Sequence, residues 1–189
     1  RPGFWAALSA GGAFLHFIAI CAALYKSNIG LNWGYISLLL AVPFLIGAER
    51  VAHWRQRMPG GEEALGMLAV GVTFFLSAAV PLELRREWVT MAYAIELPAV
   101  AWIAWRLNLP ILRWLAWLLA ATVTIRLVFN PYVLDYDISA NPFLNWVLYG
   151  YGVPIVAYWI ARDFLKRVRN DELVLAIAAS ALAFAVLLL

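Results

Sequence analysis

The sequence has few of the residues that soluble proteins need for a polar surface or for disulfide and zinc chemistry. Only 13% of its 189 residues are charged, about half the share of a typical soluble domain. So few charges cannot cover a compact globule in water, which excludes a soluble enzyme and a disordered tail. The single cysteine, Cys21, lies inside an apolar run, which excludes a disulfide framework and a cysteine-based zinc site.

Apolar and aromatic residues dominate the chain instead. Hydrophobic residues make up 65% of it, against about 45–50% in soluble domains, and it contains 10 Trp, 10 Phe and 8 Tyr. The formal net charge of +3 fits short basic loops beside a membrane better than a nucleic-acid-binding patch. We therefore expect a polytopic membrane protein whose first partner is the lipid bilayer, with no nucleic acid partner.

Seven apolar segments are long enough to cross a bilayer. A helix rises about 1.5 Å per residue, so about 20 apolar residues cross a hydrocarbon core of about 30 Å. Pro43, Pro98 and Pro154 lie inside these segments, where neighbouring helices can satisfy the carbonyls that proline leaves open. The sequence thus predicts an all-α fold, a single transmembrane helical domain over 1–189. The predicted spans are 4–25, 31–48, 63–82, 88–105, 111–130, 142–165 and 172–189.

Basic residues are unevenly divided between the two ends of these spans. Ten of the 14 Lys and Arg residues fall on the side of the N-terminus, and four fall on the other side. Cytoplasmic loops carry the excess of Lys and Arg. We therefore predict a cytoplasmic N-terminus and a multi-pass protein of the bacterial inner membrane. The loop 130–141, which has no basic residue, then faces away from the cytoplasm.

The two ends of the chain are abrupt. No Met begins it, and the last predicted span stops at Leu189 without a polar flank. We expect a piece of a longer protein, with the remainder of that chain or other membrane proteins as partners.

Two ionisable residues fall near the middle of predicted spans. At the helical rise, His16 lies about 18 Å into the first span and Glu96 about 12 Å into the fourth. A His and a carboxylate at one depth could relay a proton or hold a polar substrate group. The structural alternative is a His bonded to a backbone carbonyl and a Glu kept neutral or paired for helix packing.

Two arginines lie near opposite ends of the fifth predicted span. Arg113 is close enough to an interface for its side chain to reach water, which accounts for it without a function. Arg126 lies beside the loop that carries Asp135 and Asp137. We expect a structural salt bridge between Arg126 and these aspartates, with a clamp for an anionic ligand as the alternative.

The loop after the fifth span and the start of the sixth are rich in aromatic side chains. Two Asn-Pro pairs bracket the loop and mark the exit of one helix and the entry of the next. An aromatic belt at the interface accounts for the cluster, and stacking on a sugar or lipid headgroup is the alternative. The candidate contacts are Tyr132, Tyr136, Asn145, Trp146 and Tyr149, with Tyr151 beside them.

No catalytic motif is found in the sequence. The Ser-His-Asp order, the His-Glu-x-x-His pattern, the P-loop and the dinucleotide fingerprint are all absent. Asp135 and Asp137 could form a carboxylate pair for glycosyl transfer, although such a spacing is common in acidic loops. The sequence therefore predicts no catalytic residue, no metal and no cofactor.

One long run resembles a known bacterial family. From Ser77 the chain reads Ser-Ala-Ala-Val-Pro-Leu-Glu-Leu-Arg-Arg-Glu-Trp-Val-Thr-Met-Ala-Tyr-Ala-Ile-Glu, ending at Glu96. It is similar to the multi-spanning domain-of-unknown-function family 2339, in which a Val-Pro-Leu hairpin leads to a Trp and an Ala-Trp-x-x-Glu helix. Tyr93 replaces the second aromatic here, and Leu97 stands where Gly often follows the Glu.

The resemblance covers about residues 70–165 and also includes 126–131 and 145–154. It implies a longer chain with more spans, and it brings no established activity. The matching positions to which it draws attention are Trp88, Glu96, Arg126, Asn130, Pro131, Asn145, Tyr149 and Gly150.

Three functions fit the sequence. The first is transport or flipping of a polar or amphipathic substrate between spans four, five and six, with Glu96 and Arg126 supplying opposite charges. The second is a membrane-embedded enzyme that acts on a lipid-linked glycan through Asp135, Asp137 and the aromatic loop. The third is a structural partner in envelope assembly.

Overall fold

The described part of the chain is helical throughout. The computed structural model describes residues 2–24, 32–54, 56–57, 59–84, 86–129, 146–168 and 172–188. Within these ranges there are seven helices and no strand, which confirms the predicted all-α class. The helices are α1 (Pro2–Leu24), α2 (Trp33–Trp54), α3 (Gly61–Glu83), α4 (Arg86–Leu107), α5 (Ile111–Val128), α6 (Trp146–Val168) and α7 (Glu172–Leu188).

Five of these helices, α1 to α5, are long and apolar enough to cross a membrane. They point to a membrane-embedded protein, as the composition predicts. α6 carries four charged residues toward its C-terminal end, and α7 has 17 residues within the described part. The seven spans and the orientation of the N-terminus therefore stay predictions.

The second helix is longer than its predicted span. The span was predicted to end at Ala48, before Glu49 and Arg50, whereas α2 continues to Trp54. Glu and Arg are good helix formers, so a charge marks where a helix meets water and does not end it. The three predicted internal prolines do lie inside helices, and Pro81 lies inside α3 as well.

The chain divides into two compact units. Unit 1 is Arg1–Glu83 and holds α1 to α3, and unit 2 is Leu84–Leu189 and holds α4 to α7. Each has its own packed interior. The single transmembrane domain expected from the sequence stays a prediction.

A cluster of phenylalanine rings forms the interior of unit 1, where α3 packs against both α1 and α2. Phe75 on α3 is fully buried, and its ring centroid lies 5.4 to 5.6 Å from those of Phe14, Phe17 and Phe44. The lipid surrounding a bundle is as apolar as its core, so close packing of this kind replaces the hydrophobic effect as the main source of helix association.

Two close approaches fix α2 against α3. The buried Ser37 hydroxyl on α2 donates a 2.7 Å hydrogen bond to the Phe75 carbonyl on α3. Gly71 lies against the Phe44 ring, and a Cβ added there would meet a ring carbon at 2.6 Å. At the other end of α3, Glu83 accepts a 3.1 Å bond from the Gly34 amide, which is one of the free donors at the start of α2.

Unit 2 is organised around α4 and α6. α4 packs against α5 and α6, and α7 packs against α6. Ala94, Leu97, Ala101 and Ala104 are all fully buried, and their spacing of three and four residues places them on one face of α4. Small residues along that face let the helix backbones approach closely.

Two tyrosines join α6 to the backbone of α5. The Tyr158 hydroxyl donates a 2.6 Å bond to the Ala120 carbonyl and lies 3.0 Å from the Thr124 hydroxyl. The Tyr151 hydroxyl donates a 3.3 Å bond to the Leu127 carbonyl. Both tyrosine rings pack edge-on against Phe184 of α7, so one α7 ring supports both contacts. The two tyrosines are seven positions apart and so are their acceptors, with the order reversed, as two antiparallel helices require.

Candidate functional site

A polar contact joins α4 to α5 near one end of unit 2. The Arg126 Nε donates a 3.2 Å hydrogen bond to the Thr90 hydroxyl oxygen. Thr90 is buried, and Arg126 is exposed along part of its side chain. The contact lies where α4 begins and α5 ends. The predicted position of Arg126 near a membrane interface stays a prediction.

Tyr93 and Glu96 continue this contact along α4. Both are half-buried, and the Glu96 Oε2 atom is shielded from solvent. Tyr93 lies within electrostatic range of both Glu96 and Arg126. We call Thr90, Tyr93, Glu96 and Arg126 the polar row.

The polar row extends from the Arg126–Thr90 contact near the start of α4 to the middle of that helix. Its three α4 members are spaced by three residues, which places neighbours side by side at about 4.5 Å of rise per step. Glu96 lies ten residues after Arg86 and eleven before Leu107, or about 15 Å from either end of the helix. The Glu96 carboxylate therefore lies near the middle of α4. The Tyr93 and Thr90 hydroxyls and the Arg126 guanidinium lie closer to the start of that helix.

His16 belongs to the other unit. Its ring Nδ1–H donates a 2.7 Å bond to the Gly12 carbonyl one turn earlier on α1, and its side chain is exposed. A His bonded to a backbone carbonyl is the structural alternative that the sequence left open for this residue. His16 lies in unit 1 and Glu96 in unit 2, so the proton relay between them stays a prediction.

Most of the predicted loop site lies outside the described residues. This applies to Asp135, Asp137, Tyr132, Tyr136 and Asn145, and with them to the predicted salt bridge of Arg126 and to the glycan-enzyme hypothesis.

The aromatic candidates within α6 differ from one another. Trp146 is the first residue of the helix, but its side chain is not described. Tyr149 is 41% exposed, whereas Tyr151 is buried and bonded to the α5 backbone. Tyr151 packs between helices, with its hydroxyl on α5 and its ring against α7, because it lies one heptad before the buried Tyr158. The aromatic belt predicted for this group stays a prediction.

Sequence reasoning missed two members of the polar row, Thr90 and Tyr93. Neither carries a charge, and hydroxyl side chains are unremarkable in an apolar helix. Their spacing of three residues leading to Glu96 was the available signal. Arg113 lies in the first turn of α5 and is half-buried, and its predicted position near a membrane interface stays a prediction.

Comparison with protein families, curated proteins and solved structures finds no match to this chain. The resemblance to family 2339 therefore stays a prediction, and the candidate site depends on its geometry alone. Among the described residues, no three His, Cys, Asp or Glu side chains are grouped so that they could hold a metal ion.

Proposed function

We propose that the protein is a multi-pass transporter or flippase for a polar or amphipathic substrate, with the polar row as the substrate path in unit 2. The observation that carries this proposal is the position of Glu96 near the middle of α4. Tyr93 lies within electrostatic range of both Glu96 and Arg126, and Arg126 bonds to Thr90 near the start of the same helix.

The energetic cost of Glu96 supports a functional role. An ionised carboxylate or guanidinium at the centre of a membrane helix costs about 2.5–3.5 kcal/mol on insertion scales, and such groups mark substrate or ion paths. A residue needed only for packing could be apolar at no such cost. Glu96 is half-buried and its Oε2 atom is shielded from solvent, so the carboxylate lies within the helix packing and not at the lipid-facing surface.

The two charges suit different steps of the same path. Arg126, near the end of α5, would attract an anionic part of the substrate at the surface. Thr90 and Tyr93 would offer neutral hydroxyls along the way. Glu96 would take a proton or a cationic substrate group at mid-span. Proline inside α4 and α6 weakens the backbone ladder of both helices, which suits a bundle that changes shape.

The proposed topology follows the charge distribution of the sequence. It places seven spans in a bacterial inner membrane with the N-terminus in the cytoplasm, as part of a longer member of family 2339. Arg126 and the start of α4 then face away from the cytoplasm, and the substrate enters from that side.

The test uses the whole chain in lipid vesicles with two probes, a fluorescent headgroup-labelled phospholipid for flipping and an internal pH dye for proton flux. We expect Glu96→Gln to reduce the active probe's flux to that of protein-free vesicles, because the amide cannot carry a charge or exchange a proton. Glu62→Gln is the matched control, since Glu62 is exposed in the first turn of α3.

Unchanged flux in the Glu96→Gln variant would contradict the role of the polar row. A wild-type chain that moves neither probe would contradict the proposed function. Helix content and elution of each variant in detergent separate a loss of function from a loss of folding.

A further inference from the structure

A groove lies at the end of α2, in unit 1. An open groove of about 740 Å³ is lined by Ile46, Glu49, Arg50, His53 and Trp54 of the helix and by the chain that follows, through Arg57. The helical lining residues are spaced by three and four positions, so they share one face of α2. Beyond the helix, the Arg57 amide donates a 2.9 Å hydrogen bond to the Trp54 carbonyl, which holds Arg57 within one turn of the helix end.

The groove is graded from apolar to charged along the helix. Ile46 is 46% exposed and lies one turn before Glu49 and Arg50 on the lining face. The apolar run of α2 ends at Ala48, so the six residues from Glu49 to Trp54 lie at the level of lipid headgroups if that run crosses a membrane. An apolar side chain followed by charged ones along one face matches the form of an amphipathic ligand.

Cationic donors dominate the rim. The Arg57 guanidinium lies 5.7 Å from the centroid of the Trp54 ring, which holds it in the groove by a cation–π contact. Arg50 is exposed one turn earlier on the lining face. His53 donates its Nδ1–H to the Glu49 carbonyl at 2.8 Å, so its ring is fixed with the other nitrogen available to a ligand. With His neutral, these lining side chains carry a net charge of +1, from two Arg and one Glu.

We propose that this groove binds the headgroup of a monoanionic phospholipid, with Arg50 and Arg57 on the phosphodiester and the start of an acyl chain against Ile46. One phosphodiester charge neutralises the +1 lining. The planar fork of Arg matches two phosphate oxygens at once, which a solvated point charge cannot do. The site lies in unit 1, so it does not depend on the role proposed for Glu96 in unit 2.

The test measures binding of four probes to the whole chain in a neutral detergent. They are short-chain phosphatidylglycerol, short-chain phosphatidylcholine, glycerol phosphate and inorganic phosphate. We expect only phosphatidylglycerol to bind well, since the site needs both the net negative charge and the chain. Equal binding of phosphatidylcholine would overturn the anion selectivity. Equal binding of glycerol phosphate or inorganic phosphate would show a site for soluble phosphate and would contradict a lipid ligand.

Charge removal separates this groove from general attraction to basic surfaces. At about 1 kcal/mol per basic residue near an anionic headgroup, Arg50→Gln with Arg57→Gln is expected to weaken phosphatidylglycerol binding by about thirtyfold. The matched control is Arg106→Gln with Arg167→Gln in unit 2, because it removes the same charge and Arg167 also lies over a Trp ring, 5.1 Å from the Trp105 centroid. The control should retain binding within about threefold.

An equal loss in both double variants would show nonspecific attraction and overturn the proposal, as would unchanged binding in the groove variant. Should the double variant fail to fold, Arg57→Gln alone serves, because Arg57 lies beyond the end of α2. It should weaken binding by about fivefold. Wild-type affinity in this single variant, with wild-type helix content, would also overturn the proposal.

Discussion

Removing the Tyr158 hydroxyl tests how α6 is held to α5. The oxygen donates to the Ala120 carbonyl at 2.6 Å and contacts Thr124 at 3.0 Å, and the ring is fully buried. Tyr158→Phe keeps the ring and its packing on Phe184 while it deletes both contacts. The free energy of unfolding of the chain should therefore fall by the value of the hydrogen bonds alone.

The expected loss is about 1 kcal/mol. It is not larger because the Ala120 carbonyl still has its own helical partner, and because Thr124 can turn its hydroxyl to that carbonyl. Thr122 and Thr73 already bond in this way to the carbonyls four residues before them. Tyr158→Ala should cost about 3–5 kcal/mol, since it also leaves a cavity beside Phe184.

The assay is unfolding of the chain in mixed micelles by a denaturing detergent, followed by far-ultraviolet circular dichroism. Tyr35→Phe is the control for loss of a phenol hydroxyl, because Tyr35 is 59% exposed, and it should leave stability unchanged. A Tyr158→Phe variant as stable as the Tyr35→Phe variant would refute the hydroxyl contacts. A loss equal to that of Tyr158→Ala would show that the ring position itself depends on them.

Two further substitutions test the packing of unit 1 in the same assay. In Gly71→Ala, overpacking on the Phe44 ring should lower the free energy of unfolding by about 1–3 kcal/mol, and the higher helix propensity of Ala should return about 1 kcal/mol of that loss. Gly11→Ala is the control, because a Cβ there meets nothing within 4 Å, so this variant should only become more stable. A stabilised Gly71→Ala variant would refute the close approach. Ser37→Ala should cost about 1 kcal/mol through its lost bond to the α3 backbone, whereas Ser9→Ala, at an exposed position, should be neutral; equal effects would count against that bond.

The helices could be located from the sequence because long apolar runs are a strong signal, and each predicted span coincides with a helix of the structure. Their ends were less predictable. Glu49 and Arg50 mark the end of the apolar run in α2, but the helix continues for six residues beyond Ala48, since charge does not oppose helix formation. The division into two units could not be predicted, because lipid-facing and core-facing positions are equally apolar and hydropathy does not separate them.

The candidate site was predictable only where it carries charge. Glu96 and Arg126 are conspicuous in apolar helices, and the structure associates both with Tyr93. Thr90 and Tyr93 carry no charge and were missed, because a hydroxyl fits equally well at an interface, in a path or between helices. Which of these applies depends on the neighbouring helix, and that information is not local to either residue.

The two α6 tyrosines donate to main-chain oxygens of α5. The α5 side of each contact should therefore tolerate substitution better than the α6 side. Every amino acid supplies a carbonyl, so many replacements at Leu127 would leave its partner bond chemically intact, with size as the main restriction. On α6 only a phenol of the right reach will serve. Evolutionary drift in such a pair would therefore be one-sided, and a survey of variants should find permissive positions on α5 facing nearly invariant tyrosines on α6.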